Sequence, residues 1–194
     1  MNTDAEVSKR DDLDIFSRII HLGILVFAVA AWLASEWAGE YEKADHFGFT
    51  IHKWLGITLA AFICLRLIYG IFGPKNIRFT QWVPYTKERL LLVWEDILGL
   101  LRFRLPDRPT HQGLAGLVQT YGLGVFTWMA LTGSLMFFFL ETGHEARGSL
   151  HFIKEIHEIG ATLIPIYLVL HVGAVILHAL SGRHIWRKMI FLRE

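Results

Sequence analysis

Long apolar runs separated by polar segments are the dominant pattern along the chain. Two of these runs, Gly113 to Leu140 and Ile159 to Leu180, contain no Asp, Glu, Lys or Arg. Apolar runs longer than about 18 residues are typical of helices that cross a membrane, where the backbone must satisfy its own hydrogen bonds. We predict four membrane-spanning helices, named spans one to four, at roughly residues 18–35, 47–72, 113–140 and 157–180.

The segment between spans two and three holds one further apolar stretch. Residues 87–105 (KERLLLVWEDILGLLRFRL) are rich in leucine but are interrupted by Glu95 and Asp96. A stretch this short and this charged does not cross a bilayer, so we predict an amphipathic helix on the cytoplasmic membrane surface. The alternative is a loop helix packed beneath the bundle. The predicted fold is all-α, an integral membrane four-helix bundle with this additional surface helix, in a single domain over residues 1–194.

Composition and cysteine content narrow the function classes. Apolar residues make up 53% of the chain and charged residues 19%, against about 45–50% and about 25% in soluble proteins. A soluble enzyme, a disulfide scaffold and a nucleic-acid binder are therefore poor interpretations. Cys64 is the single cysteine. It excludes a thiolate metal cluster and a covalently attached c-type haem, because that attachment needs a C-x-x-C-H motif.

The basic residues lie mainly on one side of the predicted bundle. Fourteen Lys and Arg residues lie in the N-terminal end, in residues 73–112 and in the C-terminal tail, against four on the opposite side. An excess of Lys and Arg marks cytoplasmic loops. We therefore predict a multi-pass protein with both termini in the cytoplasm and with the loops at about residues 36–47 and 141–158 outside.

Ten histidines are many for a membrane protein of 194 residues. Ionisable residues are costly inside a bilayer, so an intramembrane histidine marks a functional site unless it serves helix packing. Five histidines lie within the predicted spans: His21 in span one, His52 in span two, and His157, His171 and His178 in span four.

Helix geometry places His157 and His171 on one face of span four. Fourteen residues advance an ideal helix by about 1400°, about 40° short of four turns, and by about 21 Å along its axis. Span four therefore offers one imidazole towards each membrane surface, as two haems stacked across a bilayer would need. Antiparallel packing then puts His52 level with His157 on the outer side and pairs His21 with the inner side of span four. His171 is the favoured inner partner, and His178, which matches the depth of His21 better, is the alternative.

Two further features bear on a di-haem interpretation. Two axial imidazoles leave the iron no open coordination position, which suits electron transfer rather than oxygen chemistry. Arg66 lies fourteen residues after His52, again on nearly the same helix face, and its guanidinium is a candidate partner for a propionate of the inner haem. Snorkelling of Arg66 to the inner headgroups is the alternative.

Four segments of the sequence, FSRIIHLG, IHKWLG, THQGLAGL and EIHEIGATLIPIYLVLH, resemble bacterial cytochrome b of the nickel–iron-hydrogenase and b-561 type. The resemblance runs from span one to the C-terminal tail. It implies four helices that hold two non-covalent haems b, with axial ligands His21, His52, His157 and His171. It also implies a subunit of the bacterial inner membrane that passes electrons between a periplasmic redox protein, such as a hydrogenase or a c-type cytochrome, and membrane quinone.

Three functions follow as hypotheses. The first is an electron-transfer subunit, because no soluble catalytic domain fits in the short loops. The second is a stand-alone membrane oxidoreductase of the superoxide:quinone type, in which Lys53 and Lys154 attract a small anion. The third is a histidine-based metal transporter, which predicts carboxylates beside the histidines within the spans; spans one and three contain none.

The route of the electrons is predicted from the two membrane faces. Acidic residues dominate the outer side and suit docking of a basic periplasmic protein. They are Glu36, Glu40, Glu42, Asp45, Glu141, Glu145, Glu155 and Glu158. The alternative is an ordinary outer side that is depleted of positive charge. At the inner mouth, His111 and His178 are candidates for a quinone site with access to cytoplasmic protons.

Overall fold

The computed structural model describes residues 14–36, 47–106, 108, 111–140, 146–183 and 185–189. Within them it contains six α-helices, which are α1 (Ile15–Glu36), α2 (Phe47–Phe72), α3 (Phe79–Trp82), α4 (Lys87–Leu101), α5 (Gly113–Phe139) and α6 (Ser149–Leu180). A short 3-10 helix, Ile185–Lys188, follows, and the residues so described include no strand. The predicted all-α class is confirmed.

The helices α1, α2, α5 and α6 are long and apolar enough to cross a membrane. Much of their apolar surface is exposed: Val169 of α6 is 73% exposed and Leu131 of α5 is 64% exposed. Large apolar surfaces of this kind are rare on soluble monomers, whereas lipid chains solvate them. The bounds of α1, α2 and α5 agree with predicted spans one to three within three residues.

The fourth spanning helix, α6, begins at Ser149, eight residues before the predicted span. Its first turns are charged: His151 Nε2 lies 3.2 Å from a carboxylate oxygen of Glu155, and Lys154 Nζ lies 3.3 Å from one of Glu158. Side chains four residues apart are neighbours on a helix and stabilise it when their charges are opposite. Hydropathy detects only the apolar part of α6, because these polar turns carry no membrane signal.

The described residues form two compact units. The first unit comprises Ile19–Arg66 and Leu123–Ile166, so it holds most of α1 and α2, the later part of α5 and the first part of α6. Its core includes Ala31, Ile63 and Phe126. The second unit comprises the described parts of residues 1–18, 67–122 and 167–194, with Trp82 and Val93 in its core.

One buried carboxylate fastens α4 to the rest of the second unit. Asp96 is 4% exposed. Its Oδ1 accepts from Nε of Arg108 at 2.6 Å, and its Oδ2 accepts from the backbone N–H of Leu114 at 2.9 Å. The second bond caps the N-terminus of α5, where unpaired N–H groups favour an anion. Gly113 (φ +60) is left-handed beside this carboxylate, and a Cβ at this position would collide with it.

The other side of α4 is apolar and exposed. Four large side chains on it are each more than half exposed: Leu90, Leu91, Trp94 and Leu101. The helix ends at Leu101, four residues before the predicted end, because Phe103 turns into the left-handed region (φ 57) and its N–H bonds to the carbonyl of Leu100. The helix therefore combines the two predicted alternatives, with a polar anchor inside the protein and an apolar face outside it.

Candidate functional site

His52 and His157 lie together in the first unit. The helix α2 presents His52 and α6 presents His157, and both residues are half-buried. Their ring centroids are 6.4 Å apart, and the ring planes are inclined at 83°. Two of the four proposed haem ligands are thus neighbours in space although they are more than 100 residues apart in the chain.

A backbone carbonyl fixes the proton position on the His52 ring. Nδ1 of His52 lies 2.8 Å from the carbonyl oxygen of Ala31 in α1. A carbonyl oxygen only accepts hydrogen bonds, so Nδ1 carries the proton and donates it. In the neutral ring with this tautomer, Nε2 of His52 carries the lone pair that can bind a metal ion.

A hydroxyl group has the same effect on His157. Oγ1 of Thr132 in α5 lies 2.7 Å from Nδ1 of His157, and it donates its own hydrogen to the Trp128 carbonyl at 2.9 Å. Because the hydroxyl has a single hydrogen, it acts as the acceptor towards His157, and Nδ1 of His157 is the donor. In the neutral ring of His157 the lone pair is therefore on Nε2 as well.

Small residues let α5 and α6 approach closely around this contact. A Cβ at Gly160 would lie 2.6 Å from the sulfur of Met129, and a Cβ at Gly133 would lie 3.2 Å from Cε1 of His157. A larger residue at either position would have to displace the Met129 side chain or the His157 ring. The glycines thus keep Thr132, which lies 25 residues from His157 in sequence, within hydrogen-bond distance of its ring.

The spacing of His52 and His157 fits two axial ligands of one haem iron. Metal–nitrogen bonds of about 2.0 Å, with about 1.1 Å from each nitrogen to its ring centre, would separate two axial imidazole centroids by about 6.2 Å. The observed separation of 6.4 Å agrees with this value. The residues present therefore fit a six-coordinate haem b, which takes two neutral imidazoles and has no covalent link to the chain.

The second predicted ligand pair is divided between the two units. His21, in α1, belongs to the first unit, and His171, in α6, belongs to the second. His171 stacks on Tyr167, one turn earlier, with ring centroids 5.3 Å apart and planes 16° from parallel. Tyr167 lies directly against Gly122, where any Cβ would collide with its ring. Arg66 is half-buried in α2.

His111 and His178, the candidates for a quinone site, both belong to the second unit and are both half-buried. The ring centroid of His111 lies 6.2 Å from that of Trp82, and the backbone of His111 is left-handed, with φ 72. The carbonyl of His178 accepts from Oγ of Ser181 at 2.8 Å and from the N–H of Arg183 at 2.9 Å. The end of α6 is therefore closed by a turn that folds back onto His178.

Part of the predicted acidic docking surface is described. Glu36, Glu155 and Glu158 are exposed. The other predicted members lie outside the described residues: Glu40, Glu42, Asp45, Glu141 and Glu145. Of the two lysines considered for anion attraction, Lys154 is paired with Glu158, and Nζ of Lys53 lies 4.8 Å from the ring centre of Phe137.

A multi-ligand metal site of the kind used for a free ion is not found in the described part of the chain. That part contains no group of three or more His, Cys, Asp or Glu side chains placed to hold a metal ion. Protein sites for free transition metals usually supply three or four ligands themselves. The pair His52 and His157 instead suits a metal whose other ligands come from a macrocycle.

Similarity to known proteins is found at the level of the family. No curated protein and no solved structure matches the chain. A model of prokaryotic cytochrome b561 matches residues 12–191, which include all four spanning helices and all four proposed haem ligands. The chain therefore belongs, as its motifs predicted, to the prokaryotic cytochrome b561 family, whose members are haem b proteins that transfer electrons in bacterial membranes.

Proposed function

We propose that the protein is a di-haem b-type cytochrome that transfers electrons across the bacterial inner membrane, between a periplasmic redox partner and the quinone pool. The observation that carries the proposal is the pair His52 and His157. Their ring centroids are 6.4 Å apart, and the Nδ1 atom of each ring makes a hydrogen bond. Two neutral imidazoles at this spacing suit a six-coordinate haem. The candidate partners are a hydrogenase, a c-type cytochrome or another oxidoreductase.

The two imidazoles bind the cofactor and keep other ligands from it. A bound haem b supplies one-electron chemistry, because its iron changes between the ferric and ferrous states. His52 and His157 would hold the haem iron through their two Nε2 atoms, and this would leave no coordination position for dioxygen or other small molecules. The hydrogen bonds from their Nδ1 atoms hold the rings against rotation. The site therefore favours electron transfer over substrate chemistry at the metal.

A second haem is proposed on the cytoplasmic side, with His21 and His171 as its ligands. His178 is the alternative to His171, and Arg66 is the proposed partner of a propionate. The proposal is supported by the fourteen-residue spacing of His157 and His171 and by membership of the family. His21 and Arg66 are also half-buried, as residues beside an intramembrane cofactor should be.

The proposed orientation places both termini in the cytoplasm. It is supported by the fourteen Lys and Arg residues on that side against four on the other. A basic periplasmic partner would dock at exposed acids such as Glu36 and Glu155, where opposite charge speeds encounter. Quinone would bind near His111 and His178, where cytoplasmic protons are available.

Reconstitution tests this function. Full-length, haem-loaded protein is inserted into liposomes with its periplasmic side outward, quinone is dissolved in the bilayer, and a reduced, basic c-type cytochrome is added outside. We expect quinone reduction that is lost in His157→Ala and slowed in His111→Ala and His178→Ala. Quinone reduction at an unchanged rate in His157→Ala would contradict the proposal. Reduction that ignores the His111 and His178 variants would move the quinone site away from the inner mouth.

The same liposomes separate the stand-alone alternative from the carrier function. Superoxide is generated outside in the absence of any partner protein, and quinone reduction is followed. If superoxide reduces quinone as fast as the cytochrome does, and Lys53→Gln slows only the superoxide reaction, the chain acts by itself as a superoxide:quinone oxidoreductase. A carrier that depends on a protein partner predicts no dependence on Lys53 in either assay.

A further inference from the structure

We propose that Thr132 is a positioning residue for the haem held by His52 and His157, and that its hydroxyl fixes the ring plane of His157 and lowers the reduction potential of the iron. The inference rests on the proposed function, because it takes His157 as an axial ligand. It concerns a residue outside the predicted ligand set, on a helix, α5, that supplies none of the four ligands.

The geometry gives Thr132 one role in this contact. Its hydroxyl hydrogen goes to the carbonyl of Trp128, at 2.9 Å on the same helix, so its oxygen is left to accept from Nδ1 of His157 at 2.7 Å. Thr132 is 6% exposed, and water does not compete for this bond. The β-branched side chain is stiff at χ1, so the acceptor is held in one place.

The contact determines the direction of the His157 ring. An acceptor fixed on α5 allows only those ring rotations that keep Nδ1–H directed at the hydroxyl oxygen. Gly133, the next residue, lies beside the ring carbon that is bonded to Nδ1, because a Cβ there would lie 3.2 Å from Cε1. Thr132 and Gly133 of α5 therefore orient the ring of His157, whose backbone belongs to α6.

The same bond changes the electronic properties of the ligand. When an oxygen accepts a hydrogen bond from Nδ1–H, the imidazole becomes more basic. The more basic ligand stabilises ferric over ferrous iron. The reduction potential is then lower than it would be without the hydroxyl. His52 has the corresponding bond to a backbone carbonyl, that of Ala31, which no side-chain substitution removes. Of the two acceptors, only the Thr132 hydroxyl can therefore be removed by a side-chain substitution.

Four variants of the full-length, haem-loaded protein test the inference. Thr132→Ala and Thr132→Ser have nearly the same size and differ in the hydroxyl, and Thr132→Val keeps the shape without it. Thr120→Val is the matched control, because Thr120 makes the same back-bond in α5, to the carbonyl of Gly116 at 2.8 Å. The measurements are the midpoint potential of each haem and the low-spin ferric signals in electron paramagnetic resonance, which report the angle between the two axial rings.

We expect Thr132→Val and Thr132→Ala to raise the potential of one haem and to shift the low-spin signal of that haem alone. Thr132→Ser and Thr120→Val should match the wild type in both measurements. A haem that is retained by the Ser variant but lost from the Ala variant would also support the inference. Equal potentials and equal signals in the Ala and Ser variants, or loss of one haem from both, would overturn it.

A failure of the proposed ligands would look different. If His52→Ala and His157→Ala each keep both haems, the ligand assignment is wrong, whatever the Thr132 variants do. If the two histidine variants lose a haem and the hydroxyl has no effect on potential or signal, the ligands stand and only the role of Thr132 is rejected.

Discussion

At the scale of single residues, the proposed outer haem site depends on the hydrogen bonds that two imidazole rings make through Nδ1. Nδ1 of His52 and Nδ1 of His157 each donate a hydrogen bond to an oxygen of a neighbouring helix. Such bonds select one tautomer and one ring direction before the cofactor binds, which reduces the cost of ordering the ligands. Loss of the hydrogen-bond partner of a metal-ligating histidine typically lowers metal affinity about 10–100-fold. The acceptors are therefore part of the site.

The inner ligand on α6 can be identified by two substitutions. If His171 shares an iron with His21, then His171→Ala and His21→Ala should remove the same haem, because loss of either axial ligand disables it. His178→Ala should leave two haems in place. Redox titration of each purified variant measures these outcomes. Retention of both haems in His171→Ala together with loss of one in His178→Ala would transfer the role to His178.

Arg66 is expected to affect the potential of the inner haem. If its guanidinium neutralises a propionate, Arg66→Leu removes positive charge near the iron, and this stabilises the ferric state and lowers the potential. Redox titration against the wild type gives the shift, and Arg104→Leu, at an exposed arginine shortly after α4, is the control for net charge. Unchanged potentials of both haems would return Arg66 to the snorkelling interpretation.

The histidines could be predicted from the sequence, whereas their acceptors could not. Depth in a span and spacing along a helix both follow from residue number, so His52 and His157 were placed at the same level from hydropathy alone. Their acceptors lie 21 and 25 residues away, on other helices, and depend on how those helices are rotated. Threonine in a membrane helix commonly bonds to its own backbone, so Thr132 carries no signal that distinguishes it.

At the scale of secondary-structure elements, α4 has two different faces. Asp96 is buried and bonds to the N-terminus of α5, while Leu90 and Trp94 are more than half exposed. A soluble protein would cover such an apolar face, and a membrane interface accommodates it, since leucine and tryptophan enter the headgroup region readily. The arginines after the helix, Arg102 and Arg104, are exposed and suit anionic lipid headgroups.

Site-directed spin labelling tests the position of α4. Because Cys64 is the single cysteine, Cys64→Ala gives a background in which Leu90→Cys and Glu88→Cys can be labelled one at a time. Residues two apart on a helix point about 200° apart. A label at residue 90 should be relaxed mainly by lipid-soluble oxygen, and a label at residue 88 by a water-soluble nickel chelate. Equal access of the chelate to both labels would place α4 away from the bilayer.

We expect the hydrogen bonds of buried Asp96 to contribute more to the free energy of unfolding than the neighbouring ion pair does. Asp96→Ala removes the acceptor of the Leu114 N–H and leaves Arg108 without its buried partner, so we expect a loss of about 2 kcal/mol in the free energy of unfolding. Glu95→Ala removes an exposed partner of the same arginine, 2.7 Å away, and should cost less than about 1 kcal/mol. Thermal unfolding of the purified protein measures both. Equal effects would show that the cap on α5 adds nothing.

The bounds of α1, α2 and α5 were predictable because lipid admits apolar helices and little else. The start of α6 was missed, since its first turns are held by ion pairs rather than by hydropathy. The offset of about 40° between His157 and His171 assumed a regular helix. Pro165 lies between the two residues and removes one hydrogen bond of α6, so sequence spacing gives the depth of these histidines better than it gives the direction of their side chains.

At the scale of the whole molecule, four spanning helices and membership of the cytochrome b561 family describe an electron carrier of the bacterial membrane. The hydrophobic pattern determines the fold class, and the intramembrane histidines indicate the cofactor. The choice of partner depends instead on loop surfaces, where charge and shape act over a few residues and no helical period exists. Exposed acids near helix ends, such as Glu36 in α1 and Glu155 in α6, add to these surfaces, and no apolar pattern identifies what binds there.

The most direct test is a count of haems in the wild type and in the outer-ligand variants. The pyridine haemochrome assay on purified full-length protein, with chain concentration from amino-acid analysis, gives haem b per chain. We predict two haems in the wild type, one in His52→Ala, one in His157→Ala and one in the double variant, because the two histidines share one iron. One haem in the wild type, or none in the double variant, would contradict the proposal.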